Sequence, residues 1–150
     1  VPVGYYKDEA KTRATFLQID GERWELPGAN ATVSADGTVV LLGRGSTSIN
    51  TGGEKVYPEE VETALMTNQE VADVVVVGAP DELWGERVVA VVAATRGATP
   101  TLEALQQHAR ESLAGYKLPR SLVLVEKVER TPAGKPDYAW AKKIAMAEGS

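Results

Sequence analysis

The sequence predicts an α+β fold, a small sheet covered by helices and preceded by a short strand-rich segment. Three observations carry that reading. Residues 71–77 and 87–94 are valine-rich runs of strand length, suited to burial on at least one face. Three later segments open with helix-start chemistry: Pro58 followed by Glu59 and Glu60, Thr101 with Glu103 in its first turn, and Asp137. Strands are mixed with helices in an order that suits a sheet carrying helices on its faces.

Taken in order, residues 8–17 have helix-forming composition, with Phe16 and Leu17 as anchors. Asp20-Gly21 marks a turn, and residues 23–26 read as a short strand. Residues 31–34 and 38–42 flank Ala35-Asp36-Gly37, a hairpin signal. Strands this short do not bury a core of their own. A short polar strand and the Gly52-Gly53 pair lead into a helix from Pro58 to Asn68-Gln69. Val61, Leu65 and Met66 form its apolar stripe, and Glu59, Glu60 and Glu62 a solvated face near its positive end. A turn at 79–82 separates the two valine-rich strands. Thr101 starts a helix carrying Leu102, Leu105, His108 and Leu113, which Gly115 closes. A basic, aromatic connector at 116–120 precedes a strand at 121–126. The loop 130–136 holds two prolines and a glycine, and the final helix runs to about residue 147.

Bulk composition excludes several function classes. The chain has 150 residues, enough for one domain or one domain with an appendage. Hydrophobic residues make up 43% and charged residues 25%, the balance of an ordinary globular chain. A net charge of −5 argues against general nucleic-acid binding, which needs a basic face. Without cysteine there is no disulfide, thiolate metal site or cysteine nucleophile, which fits a reducing, cytoplasmic setting. The single histidine, His108, excludes a multi-histidine metal site and reads as a packed or half-buried residue, so no metal ligands are expected. No signal peptide is visible in residues 1–150, and no apolar run among them reaches transmembrane length. The opening at Val1, without methionine, reads as a piece of a longer protein.

Several residues are placed to touch a ligand. Lys135, between Gly134 and Pro136, is either a point charge for a phosphate or carboxylate, or a solvated turn lysine. Arg44 lies between Gly43 and Gly45, either on a swivel reaching a ligand or as a hairpin-end charge. Gly52-Gly53 is a turn, or a place where something lies against bare backbone. It is no phosphate loop of the usual lysine type, since neither Ser nor Thr follows Lys55. Tyr116, Lys117 and Arg120 set an aromatic face beside two cations, as a nucleotide requires, or simply connect a helix to a strand. Trp84 is a packing anchor or a base-stacking surface.

Four ordered stretches together carry a resemblance: residues 42–45, residues 49–62 from Ile49-Asn50-Thr51-Gly52-Gly53-Glu54-Lys55, residues 81–86, and Pro132-Ala133-Gly134-Lys135. The chain resembles the C-terminal part of an adenylate-forming enzyme, in the superfamily of acyl-CoA synthetases, peptide-synthetase adenylation domains and firefly-type luciferases. Within it the chain looks most like the fatty-acyl-CoA synthetases of actinobacteria. The resemblance implies that residues 1–45 are the tail of a large N-terminal domain and residues 46–150 a mobile lid domain. It also implies a two-step reaction: a carboxylic acid and ATP give acyl-AMP, the lid rotates, and CoA then takes the acyl group. ATP would arrive with magnesium, held mainly by the large domain.

By the same resemblance Lys135 is the catalytic lysine of adenylation. Arg44 contacts the ribose, and Lys55 is a basic position that can face the phosphates. Gly53 borders the pantetheine path. Trp84, Tyr116, Lys117 and Arg120 match a neighbourhood that holds the CoA nucleotide in some members. Two positions depart from the family pattern. Ser46 stands at the hinge, where an aspartate or lysine is usual, and Ala29 replaces an aspartate that grips both ribose hydroxyls, with Asn30 beside it. Ala29 motivates a second reading, a non-catalytic binding module of the same fold; a further alternative is an enzyme that hands acyl-AMP to a carrier protein. This stretch alone is expected to be inactive.

Overall fold

A computed structural model describes residues 2–26, 28–44 and 47–147, the Arg44 side chain excepted. The chain divides into two units, residues 1–46 and residues 47–150.

In the first unit, helix α1 (Glu9–Thr15) is capped by the Asp8 carboxylate, which accepts from the Lys11 amide at 2.9 Å. It stops two residues before the expected end. Phe16 is already extended and opens β1 (Phe16–Ile19), which pairs antiparallel with β2 (Glu22–Glu25) and sets Leu17 opposite Trp24. Cross-strand pairing of large side chains outweighs the weak helical preference there. A second hairpin joins β3 (Ala29–Val33) to β4 (Val39–Arg44) around the expected Ala35-Asp36-Gly37 turn. Among the described residues of this unit only Thr15 is buried, and Val33 and Leu41 stay 68% and 73% exposed. Two separate ribbons therefore contribute almost no core.

The second unit holds the core. Its elements are β5 (Ile49–Thr51), β6 (Glu54–Val56), α2 (Pro58–Met66), β7 (Val71–Asp81), β8 (Gly85–Ala94), α3 (Leu102–Ala109), a 3-10 turn (Gly115–Lys117), β9 (Ser121–Val125) and α4 (Tyr138–Ala147). The five strands form one sheet in which β8 is central. It pairs antiparallel with β7 along its length, with β5 at Thr51–Gly85, and in parallel with β9. The parallel step from β8 to β9 is crossed by α3, as such a connection requires.

Side-chain alternation along the valine runs divides the two faces. Val74, Val76, Val88, Ala90 and Val92 pack with Val61 and Leu65 of α2 and Leu105 of α3. Val75, Val77, Val89, Val91 and Ala93 pack with Val123 of β9 and Ala141 and Ala145 of α4. A sheet covered on both faces explains runs with no polar alternation. This is the expected small α+β architecture with helices over a sheet.

Four further expectations need correction. The turn at 79–82 is strand: β7 continues to Asp81, and the reversal comes at residues 82–84. Pro80 is tolerated because β7 is an edge strand, so its missing N–H faces no neighbour. Helix α3 ends at Ala109, and buried Leu113 follows it in a turn. Met66 lies off the α2 stripe, 46% exposed, and the glutamates of α2 are not a solvated face. Among the described residues no helix is long and apolar enough to cross a membrane.

Candidate functional site

Lys135 sits on a small tethered hairpin. Arg130 and Pro136 form an antiparallel bridge, and the Asp137 amide donates to the Glu129 carbonyl at 3.1 Å. Inside it, Thr131-Pro132-Ala133-Gly134 makes a turn closed by the Gly134 amide on the Thr131 carbonyl at 2.8 Å. Proline presets the turn's second position, and Gly134 takes the left-handed backbone at φ 76°. The Lys135 carbonyl accepts from the Thr131 amide at 2.8 Å, and its own amide donates to Thr131 Oγ1 at 3.2 Å. The backbone of Lys135 is thus held while its side chain is exposed, and no described carboxylate pairs with its ammonium.

The base of the hairpin is fixed to the sheet. Arg130 reaches Asp73 on β7 through Nη2 at 2.7 Å and 2.9 Å and Nε at 3.2 Å, and it donates from Nη1 to the Gly134 carbonyl at 3.2 Å. This bond to Asp73 raises the arginine further above its ordinary range. Beside it lies a cleft of about 390 Å³ lined by Glu59, Glu62, Thr63, Asp73, Arg130 and Pro136, among others. Glu62 accepts from the Val76 amide at 2.8 Å and from the Tyr138 hydroxyl at 3.4 Å. Burial pushes its carboxyl up to about 7, with the Glu59 charge adding to that and the Val76 amide opposing it. Burial, then the neighbouring Glu62, also raises the Tyr138 phenol.

The Gly52-Gly53 pair forms the two-residue loop of the β5–β6 hairpin, with φ of 60° and 88°. Positive φ at both positions is the geometry such a loop demands. The two glycines differ in surroundings. A Cβ on Gly52 would lie 2.8 Å from Trp84 Cε3, and the Gly52 amide donates to the Trp84 carbonyl at 2.9 Å. At Gly53 no atom lies within 4 Å of the same added carbon. What rests on bare backbone here is therefore the Trp84 ring, on Gly52. Lys55, beyond the turn, is exposed.

Trp84 is 37% exposed, and the Arg120 guanidinium stacks on its ring at 4.1 Å. Tyr116 is 39% exposed with the Lys117 ammonium 5.8 Å from its ring centre. Lys117 is engaged elsewhere: Glu60 binds its ammonium at 2.6 Å with both side chains mostly buried. His108 is half-buried with Nε2 2.7 Å from Thr67 Oγ1, a packed helix–helix contact. Among the described residues no cluster of three or more His, Asp or Glu can hold a metal ion.

In the first unit the β3–β4 register sets Ala29 directly opposite Arg44 and Asn30 opposite Gly43. The two positions expected to reach a ribose are cross-strand partners. The Arg44 side chain and the expected hinge at Ser46 lie outside the described residues. Local patterns missed Asp73, Glu62 and Tyr138, whose partners are remote in sequence. Arg130 was detectable, as a cation in the same proline-bounded loop as Lys135.

The fold of the second unit defines the class of protein. The chain belongs to the family of the AMP-binding enzyme C-terminal domain, whose model matches residues 60–135. Its relatives are more particular. It is 60% identical over 142 residues to the 3-oxocholest-4-en-26-oate--CoA ligase of Rhodococcus rhodochrous, covering 95% of this chain and 26% of that protein. It is 58% identical over 147 residues to the medium/long-chain-fatty-acid--CoA/3-oxocholest-4-en-26-oate--CoA ligase of Mycobacterium tuberculosis, covering 98% of this chain and 27% of that protein. A similar solved structure is the o-succinylbenzoate CoA synthetase of Bacillus subtilis in complex with its acyl-adenylate intermediate. The TM-score is 0.81 at 28% identity, over 93% of this chain and 28% of that one. The chain spans about a quarter of the length of the curated relatives it matches.

Proposed function

We propose that this chain is the C-terminal part of a cytoplasmic, ATP-dependent acyl-CoA ligase, with residues 1–45 closing a large nucleotide-binding domain and residues 46–150 forming its mobile lid. The observation that carries the reading is Lys135, an exposed ammonium with no partner among the described carboxylates, on the held backbone of a five-residue turn. A cation carried on a held backbone can stabilise the negative charge that develops as carboxylate attacks phosphate. Arg44 serves the ribose and Lys55 the phosphates. Magnesium accompanies ATP and is held by the rest of the protein.

For the second step the lid turns about a hinge at Ser46 and presents its other end. Open space at Gly53 admits a thin pantetheine arm, and the Trp84–Arg120 stack beside it offers a flat cationic surface to an adenine. Tyr116 and Lys117 are proposed to serve the same nucleotide, Lys117 only after release from its pairing with Glu60. The substrates in the relatives' names, a sterol-derived acid and medium- or long-chain fatty acids, support a lipid carboxylate as the acid.

The test is product formation by the full-length protein. With ATP, magnesium, CoA and a panel of long-chain and steroid-side-chain acids, the expected result is acyl-CoA. Acyl-AMP that accumulates whether or not CoA is present points to carrier-protein transfer instead. No acid-dependent pyrophosphate from any of these acids contradicts the catalytic reading and leaves a binding module.

A further inference from the structure

The Arg130–Asp73 pair ties the lysine hairpin to the sheet, and it does so at two levels. Asp73 belongs to β7, where its Oδ1 also accepts from the Val74 amide at 2.9 Å. Its carboxylate is therefore oriented by the strand before it meets the guanidinium. Arg130 then makes three contacts with that carboxylate. With its remaining nitrogen it donates to the Gly134 carbonyl, on the residue just before Lys135. One planar group thus joins the strand to the turn whose last residue carries the ammonium. A guanidinium suits this because its donors lie in a fixed fork, whereas a lysine offers one mobile point charge.

The hairpin's two ends are anchored by buried Val128 before it and by α4 after it, and between them Arg130 links residues 130–136 to the sheet. The hairpin's internal bonds define its shape, but they do not set its position relative to the sheet. Both partners are part-exposed, the Arg130 side chain 40% and Asp73 27%, so the pair contributes little to global stability. A weakly stabilising link that joins β7 to the turn before a candidate catalytic side chain acts on geometry.

The geometry points to Arg130 as a positioning residue for Lys135, with Asp73 as its anchor. The pair sets where the ammonium stands during adenylation and has no part in thioester formation. This inference rests on the adenylation reading of Lys135 given above.

The experiment uses the full-length protein and four variants: Lys135→Ala, Arg130→Lys, Asp73→Asn and the Arg130→Lys/Asp73→Asn double. Each is assayed separately for acid-dependent pyrophosphate release and for thioester formation from chemically supplied acyl-AMP and CoA. A misplacement of about 1 Å in a catalytic group costs on the order of 100-fold. The expected result is a fall of about 10- to 100-fold in adenylation kcat for both single variants, with thioester formation from acyl-AMP kept. The double variant is expected to be no slower than the worse single one, as for two parts of one link. Adenylation at the wild-type rate in both single variants, while Lys135→Ala is impaired, overturns the inference and leaves the adenylation reading standing. An equal fall in both half-reactions assigns the pair a structural role and overturns the inference as well. Unimpaired adenylation in Lys135→Ala removes the reading on which it rests.

Discussion

Replacing Glu62 by glutamine isolates the energetic cost of a carboxylate lining the cleft beside the Arg130–Asp73 pair. In the folded chain burial lifts this group from 4.5 to about 7. The sign follows from proton counting. Between those values the folded state binds more protons at this site than the unfolded state does, so stability falls as pH rises. At about 1.4 kcal/mol per pH unit, the site costs the fold about 3 kcal/mol by the time pH exceeds 7. An amide keeps the acceptor for the Val76 N–H and carries no charge. Urea unfolding of the 150-residue chain, repeated from about pH 4.5 to about pH 8, reads the difference. The variant is expected to match the wild type at the acid end and to be more stable by about 2–3 kcal/mol at the alkaline end. A constant difference across the range would show that Glu62 does not titrate there. A less stable variant at the alkaline end would show that Arg130 and the Val76 amide outweigh burial, and would refute the reasoning.

The two turn glycines separate strain from packing. Gly53→Ala is expected to cost about 1 kcal/mol, the penalty of a side chain in left-handed backbone, because nothing lies near its Cβ. Gly52→Ala carries the same strain and also displaces the Trp84 ring, so its loss is expected to be about 2–4 kcal/mol; equal losses in thermal melts would contradict the contact. Lys117→Ala strips the partner from a mostly buried Glu60, whose other oxygen already lacks one, and is expected to cost about 1–3 kcal/mol in urea unfolding. A negligible loss would mean the pair behaves as a surface ion pair.

Much of the fold was legible because it is written in local patterns. The valine runs of β7 and β8 announced strands buried on at least one face, and Pro58, Thr101 and Asp137 marked the entries to α2, α3 and α4. Pro80 misled because Ala-Pro-Asp-Glu is turn chemistry; only the edge position of β7, a property of the whole sheet, makes it strand. Phe16 and Leu17 joined β1 because Glu25 and Trp24 lie across from them. The glutamates of α2 were misread for the same kind of reason. Glu62 meets Val76 and Tyr138, 14 and 76 residues away, and Glu60 meets Lys117 at a separation of 57. No window along the chain contains those pairs. The loop lysine was legible as chemistry, and its tether to Asp73 was not, because Asp73 lies 57 residues from Arg130.

The central claim is that Lys135 serves adenylation and not thioester formation. The measurement is the ratio of the two half-reaction rates in full-length Lys135→Ala, with acyl-AMP supplied for the second. Loss of the Lys135 charge is expected to slow pyrophosphate release by about 100- to 1,000-fold. Thioester formation should stay within about threefold of the wild type, since the lysine hairpin is tied to Asp73 near the start of β7 while Trp84 lies beyond that strand's far end. Equal slowing of both steps, or adenylation at the wild-type rate, would contradict the account.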